Sequence, residues 1–138
     1  AAFEARWRHD RLVMDKWFSV QVAHAPPAVA AGTAERLAAH PAFEMTNPNR
    51  FRAVFGALAT NAAGFHHASG AGYALYADRL IALDALNPQT AARMTTAFET
   101  WRRYDERRQA LMRQEVERIA AAPGLSRDTA EMVARILG

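Results

Sequence analysis

The sequence predicts an all-α protein, an α-α superhelix of the HEAT or armadillo type made of antiparallel helices. Alanine is abundant, and Val, Ile and Thr do not form runs, a composition that favours helix over strand. Apolar residues recur at spacings of three and four along most of the chain. Pro and Gly separate these segments, so the connections are short and neighbouring helices are expected to be antiparallel.

The first two helices are each ended by proline. The first is predicted over residues 3–23, and Pro26-Pro27 stops it. The second is predicted over residues 28–39 and ends at His40-Pro41, because the residue before a proline avoids the helical conformation. Residues 41–46 form a connector to the next helix.

A capped helix begins at Asn47-Pro48. An Asn side chain accepts hydrogen bonds from N–H groups that the first turn leaves unpaired, and Pro at the next position has no N–H to satisfy. The helix is expected to end within residues 61–64, and a turn follows over residues 65–70. A further helix is predicted over residues 73–86.

The Asn-Pro pair recurs 40 residues later at Asn87-Pro88 and opens a helix with Met94, Phe98 and Trp101 on its apolar face. Each of the two caps opens a helix that is followed by another, and helix pairs at this period are typical of HEAT and armadillo arrays. Chance reuse of a good cap is the alternative. The remaining helices are predicted over residues 105–122 and 126–137, and we expect residues 1–138 to form a single helical domain.

Composition and charge exclude several classes of function. The formal net charge is +3, and the basic residues alternate with acidic ones, whereas nucleic-acid binding needs a concentrated basic face. No apolar run approaches the length of a membrane span. Cysteine is absent, which excludes disulfides and thiolate sites and suits a cytoplasmic location. No nucleic-acid partner and no membrane partner are therefore expected.

The sequence contains no recognisable catalytic or metal site. It lacks the His-Glu-x-x-His and Gly-x-Ser-x-Gly motifs. His66 and His67 are adjacent, so on a helix they point about 100° apart and are poorly placed to hold one ion; they are expected to be a polar loop or packing pair. The catalytic set and the metal set are both predicted to be empty. Several acidic residues are expected to be surface charges: Glu35, Glu44, Asp78 and Asp84.

Polar side chains after the two Asn-Pro caps are the best candidates for a binding role. Arg50 and Arg52 follow one cap. Gln89 and Arg93 follow the other and lie four residues apart, on one helix face. Successive helix starts in an array line one surface, where arginine can bind a carboxylate or a peptide carbonyl. Ordinary surface arginines are the alternative.

The first helix carries a large apolar load, which includes Phe3, Trp7, Trp17 and Phe18. We expect part of it to pack against a preceding unit, so the isolated chain is expected to self-associate through an exposed apolar patch.

Several segments resemble bacterial aminopeptidase N. They occur in order along nearly the whole chain, and the Asn-Pro-Asn-Arg run, together with the other segments, is specific for this family. The segments are Met14-Asp15-Lys16-Trp17-Phe18, the run from Phe43 to Arg52, Ala63-Gly64-Phe65-His66, Gly70-Ala71-Gly72-Tyr73, Asn87-Pro88-Gln89 with Arg93, and Arg103-Tyr104-Asp105 with Arg107-Arg108-Gln109.

The resemblance implies that the chain is the C-terminal end of a helical superhelix in a zinc exopeptidase that removes N-terminal residues from peptides. The zinc ligands and the catalytic Glu of that family lie in an earlier domain, so zinc belongs to the parent enzyme and this chain has no cofactor and no catalysis of its own. Its expected role is to close the active-site chamber and orient the peptide through positions matching Arg52, Gln89 and Arg93. The other domains and the peptide are then its partners; a stand-alone helical-repeat interaction module is the alternative.

Overall fold

A computed structural model of the protein describes residues 11–138, and its side chains from Leu12 onward. No strand occurs in this range, which confirms the predicted all-α class. None of the described helices combines the length and apolarity that a bilayer crossing requires. The helices are α1 (Arg11–Ala23), α2 (Ala30–Ala38), α3 (Pro48–Phe51), α4 (Ala57–Thr60), α5 (Ala62–Phe65), α6 (Ala71–Leu86), α7 (Pro88–Met94), α8 (Glu106–Ala120) and α9 (Arg127–Leu137).

Shorter helical turns connect these helices. A π-type turn over Arg52–Gly56 joins α3 to α4, and 3-10 turns lie at Pro27–Val29, Thr95–Phe98 and Trp101–Arg103. The chain divides into two compact units, of which the first ends at Phe65 and the second spans His66–Gly138.

The first unit has an aromatic core around α1. Met14, Phe18 and Val22 recur every four residues on this helix and are fully buried. The Phe18 ring meets Phe43 edge to face, with the ring centroids 6.3 Å apart. Helix α1 packs against α2, the π-type turn and α4. Phe3 and Trp7 of the predicted apolar load lie outside the described residues.

Both Asn-Pro caps form as predicted. The Asn47 side-chain oxygen accepts hydrogen bonds from the N–H groups of Asn49 at 3.1 Å and Arg50 at 3.2 Å. The Asn87 oxygen accepts one from the N–H of Thr90 at 3.2 Å. Each helix therefore starts where the capping chemistry places it.

The helix after Asn47 is less regular than the sequence predicts. Its backbone hydrogen bonds change from the α-helical to the π-helical pattern over Arg52–Gly56, and the helix ends at Asn61. The Asn61 side-chain amide donates to the carbonyls of Val22 at 3.0 Å and Ala25 at 2.9 Å, which pairs groups at the end of α1. The break follows from these long-range bonds, which local spacing cannot reveal.

In the second unit, α6 packs against α7 and α8, and α9 also packs against α7 and α8. Buried residues occur on several sides of α6, among them Tyr73, Leu75 and Leu80. The Trp101 indole N–H donates to the carbonyl of Ile136 at 3.0 Å and so joins the Trp101–Arg103 turn to α9.

The expectation that Asp84 is a surface charge is wrong. Asp84 is only 4% exposed and accepts three hydrogen bonds. One comes from the backbone N–H of Ser126 at 2.7 Å, and two come from the hydroxyls of Ser126 and Thr129 at 2.6 and 2.5 Å. These donors compensate the cost of burying the carboxylate, and they fix α6 to the start of α9.

Candidate functional site

A groove of about 280 Å³ lies between α7 and α9 in the second unit. Helix α7 contributes Gln89, Ala92 and Arg93, so two of the predicted binding residues lie in one groove. Helix α9 forms the other wall with Asp128, Glu131, Met132 and Arg135.

Helical periodicity explains which side chains reach the groove. The α9 lining residues begin at Asp128 and recur at i+3, i+4 and i+7, which is one face of a helix. Thr129, Val133 and Ile136 lie on a different face of α9, roughly 120° around the helix, and are buried in the unit. The burial of this apolar face leaves the charged face of α9 to line the groove.

The groove carries charges of both signs. Within the described part of the chain, no hydrogen bond or ion pair engages the side chains of Arg93, Asp128 and Arg135. Glu131 accepts a hydrogen bond from Arg127 Nε at 3.1 Å. Two guanidinium groups and one carboxylate are therefore available to a ligand, beside the neutral amide of Gln89.

Arg52 lies in the first unit, at the start of the π-type turn, and is exposed. Its Nη2 donates to the side-chain oxygen of Asn49 at 3.1 Å. The structure thus brings Gln89 and Arg93 together in one groove, and it places Arg52 in the other unit.

Arg50 has a structural role. Its side chain is 5% exposed, and Nε lies 2.6 Å from Asp15 Oδ1. Nη1 donates to the carbonyl of Ala42, and the guanidinium lies 5.2 Å from the centroid of the Phe18 ring. These contacts compensate the charge of Arg50 and occupy its guanidinium inside the first unit, so Arg50 is unavailable to a ligand.

The adjacent histidines make local contacts, as predicted: His67 Nδ1 lies 2.9 Å from Ser69 Oγ in the loop, and His66 packs against aromatic rings. His66 Nδ1 lies 2.6 Å from the Tyr73 hydroxyl, and the ring stacks on Tyr104 with centroids 4.2 Å apart. Burial, assisted by the positive charge of Arg108, lowers the pKa of His66. Burial raises the pKa of Tyr73 to about 12. The neutral imidazole of His66 and the neutral phenol of Tyr73 are therefore favoured at neutral pH.

The described side chains do not offer a set of ligands that fits zinc. No group of three His, Cys, Asp or Glu residues converges among them. A structural or catalytic zinc site needs three or four such ligands around one ion. No chemical step through zinc can therefore be assigned to this part of the chain.

Sequence patterns alone do not identify the α9 wall of the groove. The face that begins at Asp128 is visible as an i, i+3, i+4, i+7 pattern, but many solvated helices show such a pattern. Its position opposite Arg93 depends on how α9 packs on α7, and nothing local to either helix encodes that packing.

Comparison with known families identifies the fold. A family model described as a domain of unknown function (DUF3458_C) with ARM repeats matches residues 1–138. This description agrees with the helical-repeat architecture predicted from the Asn-Pro spacing.

The curated relatives are aminopeptidases. Aminopeptidase N of Caulobacter vibrioides is 46% identical in an alignment of 138 residues, which covers 99% of this chain and 16% of that protein. Aminopeptidase N of Haemophilus influenzae is 41% identical with the same coverage, and that of Escherichia coli is 38% identical over 98% of this chain and 16% of that protein. The resemblance to the helical C-terminal part of aminopeptidase N is thereby confirmed.

A solved structure has the same fold. The crystal structure of Legionella pneumophila aminopeptidase A in complex with aspartic acid matches with a TM-score of 0.92 and 33% identity. The match covers 99% of this chain and 16% of that chain. The chain thus spans about a sixth of the length of the relatives it matches, 16% in each case.

Proposed function

This chain belongs to the DUF3458_C family of ARM-repeat domains, and from that membership we propose that it is the non-catalytic helical domain of a zinc-dependent aminopeptidase. In this proposal it closes the active-site chamber and orients peptides whose N-terminal residue is removed by another domain. The observation that carries the proposal is the 46% identity with an aminopeptidase N over 138 residues. Identity at this level, spread over the whole chain, favours a shared place in a shared enzyme.

Within the proposed enzyme, Gln89 and Arg93 orient the peptide beyond its scissile bond. Arg93 supplies a charge-assisted hydrogen bond to a peptide carbonyl or carboxylate, and Gln89 supplies a neutral one. Their place in one groove, with an Arg93 guanidinium that has no partner among residues 11–138, supports this role. We include Arg52 as a third contact because its side chain is exposed and is oriented by a hydrogen bond to the Asn49 side-chain oxygen. These residues position the substrate, and none of them breaks a bond.

The proposal also assigns partners and a location. The other domains of the aminopeptidase and the peptide substrate are the partners, zinc is held outside this chain, and the enzyme is cytoplasmic. The cysteine-free composition supports a reducing compartment. Self-association of the isolated chain stays a prediction, since Phe3 and Trp7 lie outside the described residues.

Steady-state kinetics of the full-length enzyme that carries this chain test the proposal. Arg93→Ala is expected to raise KM for tetrapeptides about threefold to tenfold and to leave KM for single-residue chromogenic amides unchanged, because the amides do not extend beyond the scissile bond. Arg103→Ala, an exposed arginine outside the groove lining, is the matched control.

Two results would contradict the proposal. Equal changes in KM for peptides and amides would remove the role of Arg93 beyond the scissile bond. Hydrolysis of amides by the isolated chain with added zinc would overturn its non-catalytic assignment. Reading the parent gene for an upstream His-Glu-x-x-His motif separates an aminopeptidase from a stand-alone interaction module.

A further inference from the structure

Helix α9 forms one wall of the groove, although the resemblance to aminopeptidase N assigns groove residues only to the α7 wall, as Gln89 and Arg93. The α9 wall contains an acidic residue in its first turn and a basic residue in its last turn. Asp128 and Arg135 lie seven residues apart, about 10 Å along a helix axis, which is the reach of about three extended peptide residues. One bound peptide can therefore contact both charges.

The charges of Asp128 and Arg135 are not engaged by ion pairs or hydrogen bonds within the second unit. Neither side chain has an ion-pair or hydrogen-bond partner among the described residues, and neither is paired across the groove with Arg93. Arg50 and Asp84 show the contrast, since both are buried and fully engaged by neighbouring groups. The α9 charges also suit the helix dipole, but such stabilisation does not require them to face a groove.

We propose that Asp128 and Arg135 are specificity-determining residues that select the charge of peptide side chains downstream of the scissile bond. This inference rests on the proposed function. Asp128 attracts a lysine or arginine side chain, and Arg135 attracts an aspartate or glutamate side chain. Gln89 and Arg93 on the opposite wall hold the peptide backbone, so the groove binds the main chain on one side and reads side-chain charge on the other.

Substrate ratios in the full-length enzyme test this proposal. The probes are tetrapeptides Ala-X-Ala-Ala and Ala-Ala-X-Ala with Lys, Ala or Glu at X. Asp128→Asn is expected to lower the Lys-to-Ala ratio of kcat/KM about threefold, and Arg135→Gln to lower the Glu-to-Ala ratio by a similar factor, as for a partly exposed ion pair. Each ratio is measured on one protein preparation, so a loss of folded enzyme cancels.

Glu99→Gln is the matched control, because Glu99 is exposed and lies outside the groove lining. It should leave both ratios unchanged. A lower Lys-to-Ala ratio for Asp128→Asn and a lower Glu-to-Ala ratio for Arg135→Gln, with both changes smaller at 0.5 M salt, support the proposal.

The outcomes distinguish a failure of the proposed α9 specificity from a failure of the proposed function. If neither ratio changes while Arg93→Ala still raises KM for peptides, the α9 wall has no part in specificity and the proposed function stands. If thermal stability falls but the ratios do not change, the charges serve only the helix dipole, and the inference is overturned. If Arg93→Ala is also without effect on peptides, the substrate-orienting role itself fails.

Discussion

The two helices that begin at Asn-Pro share a cap but differ in how they use the residues that follow. In each, the third helical position is buried, as Arg50 in one and Thr90 in the other. The exposed arginine is then Arg52, at the fifth position, in the first helix and Arg93, at the sixth, in the second. The π-type turn that begins at Arg52 changes the register of the first helix, whereas the second stays α-helical through Met94.

A cap therefore fixes where a helix begins but not which charged side chains remain available to a ligand. Arg50 could have been a ligand contact by position alone. Asp15 on α1 makes it a structural residue, because a buried guanidinium is stable only with its charge compensated.

The largest expected effect follows from breaking the ion pair between Arg50, in the helix that begins at Asn47-Pro48, and Asp15 on α1. Arg50→Met should lower the free energy of unfolding by about 3 kcal/mol, because Asp15, whose side chain is only 17% exposed, loses its ion-pair partner and the Ala42 carbonyl loses a donor. Urea unfolding measures the loss, and hydrogen exchange should place it in α1 and α3. Asp15→Asn in the same chain should recover part of it; a loss below about 0.5 kcal/mol would show that Arg50 is an ordinary surface residue.

An intermediate effect is expected at the caps themselves. Asn47→Ala and Asn87→Ala should each cost about 1 kcal/mol of unfolding free energy, the usual value of an N-cap. The cost at Asn47 should be the larger, since its oxygen accepts two N–H groups and that of Asn87 accepts one. Urea midpoints compare the two variants, and Asn→Ser at each position should retain most of the stability. The reverse order would mean that tertiary packing, not capping, sets the cost.

The smallest expected effect is at the exposed arginine of the first helix. Arg52→Ala should change the free energy of unfolding by less than about 0.5 kcal/mol, because it removes only an exposed contact to Asn49. The same urea experiment measures it beside Arg50→Met. A loss comparable with that of Arg50→Met would make both arginines structural and would leave Arg52 no separate binding role.

Local chemistry was enough to predict the helical class, the two caps and the Ser126 start of α9. Capping depends on neighbouring backbone groups. The helix starts at Asn47, Asn87 and Ser126 can therefore be predicted from the sequence. The same local reasoning placed Gln89 and Arg93 on one face, and both line the groove.

Tertiary structure decided the rest. Asp84 is buried because Ser126 and Thr129, over 40 residues away, supply its hydrogen bonds, and Arg50 is buried because Asp15 neutralises it. Asp128 and Arg135 gain an opposing wall only when α9 packs on α7. A sequence pattern fixes which side chains share a helix face, but the burial and pairing of a charge depend on residues that folding brings from elsewhere.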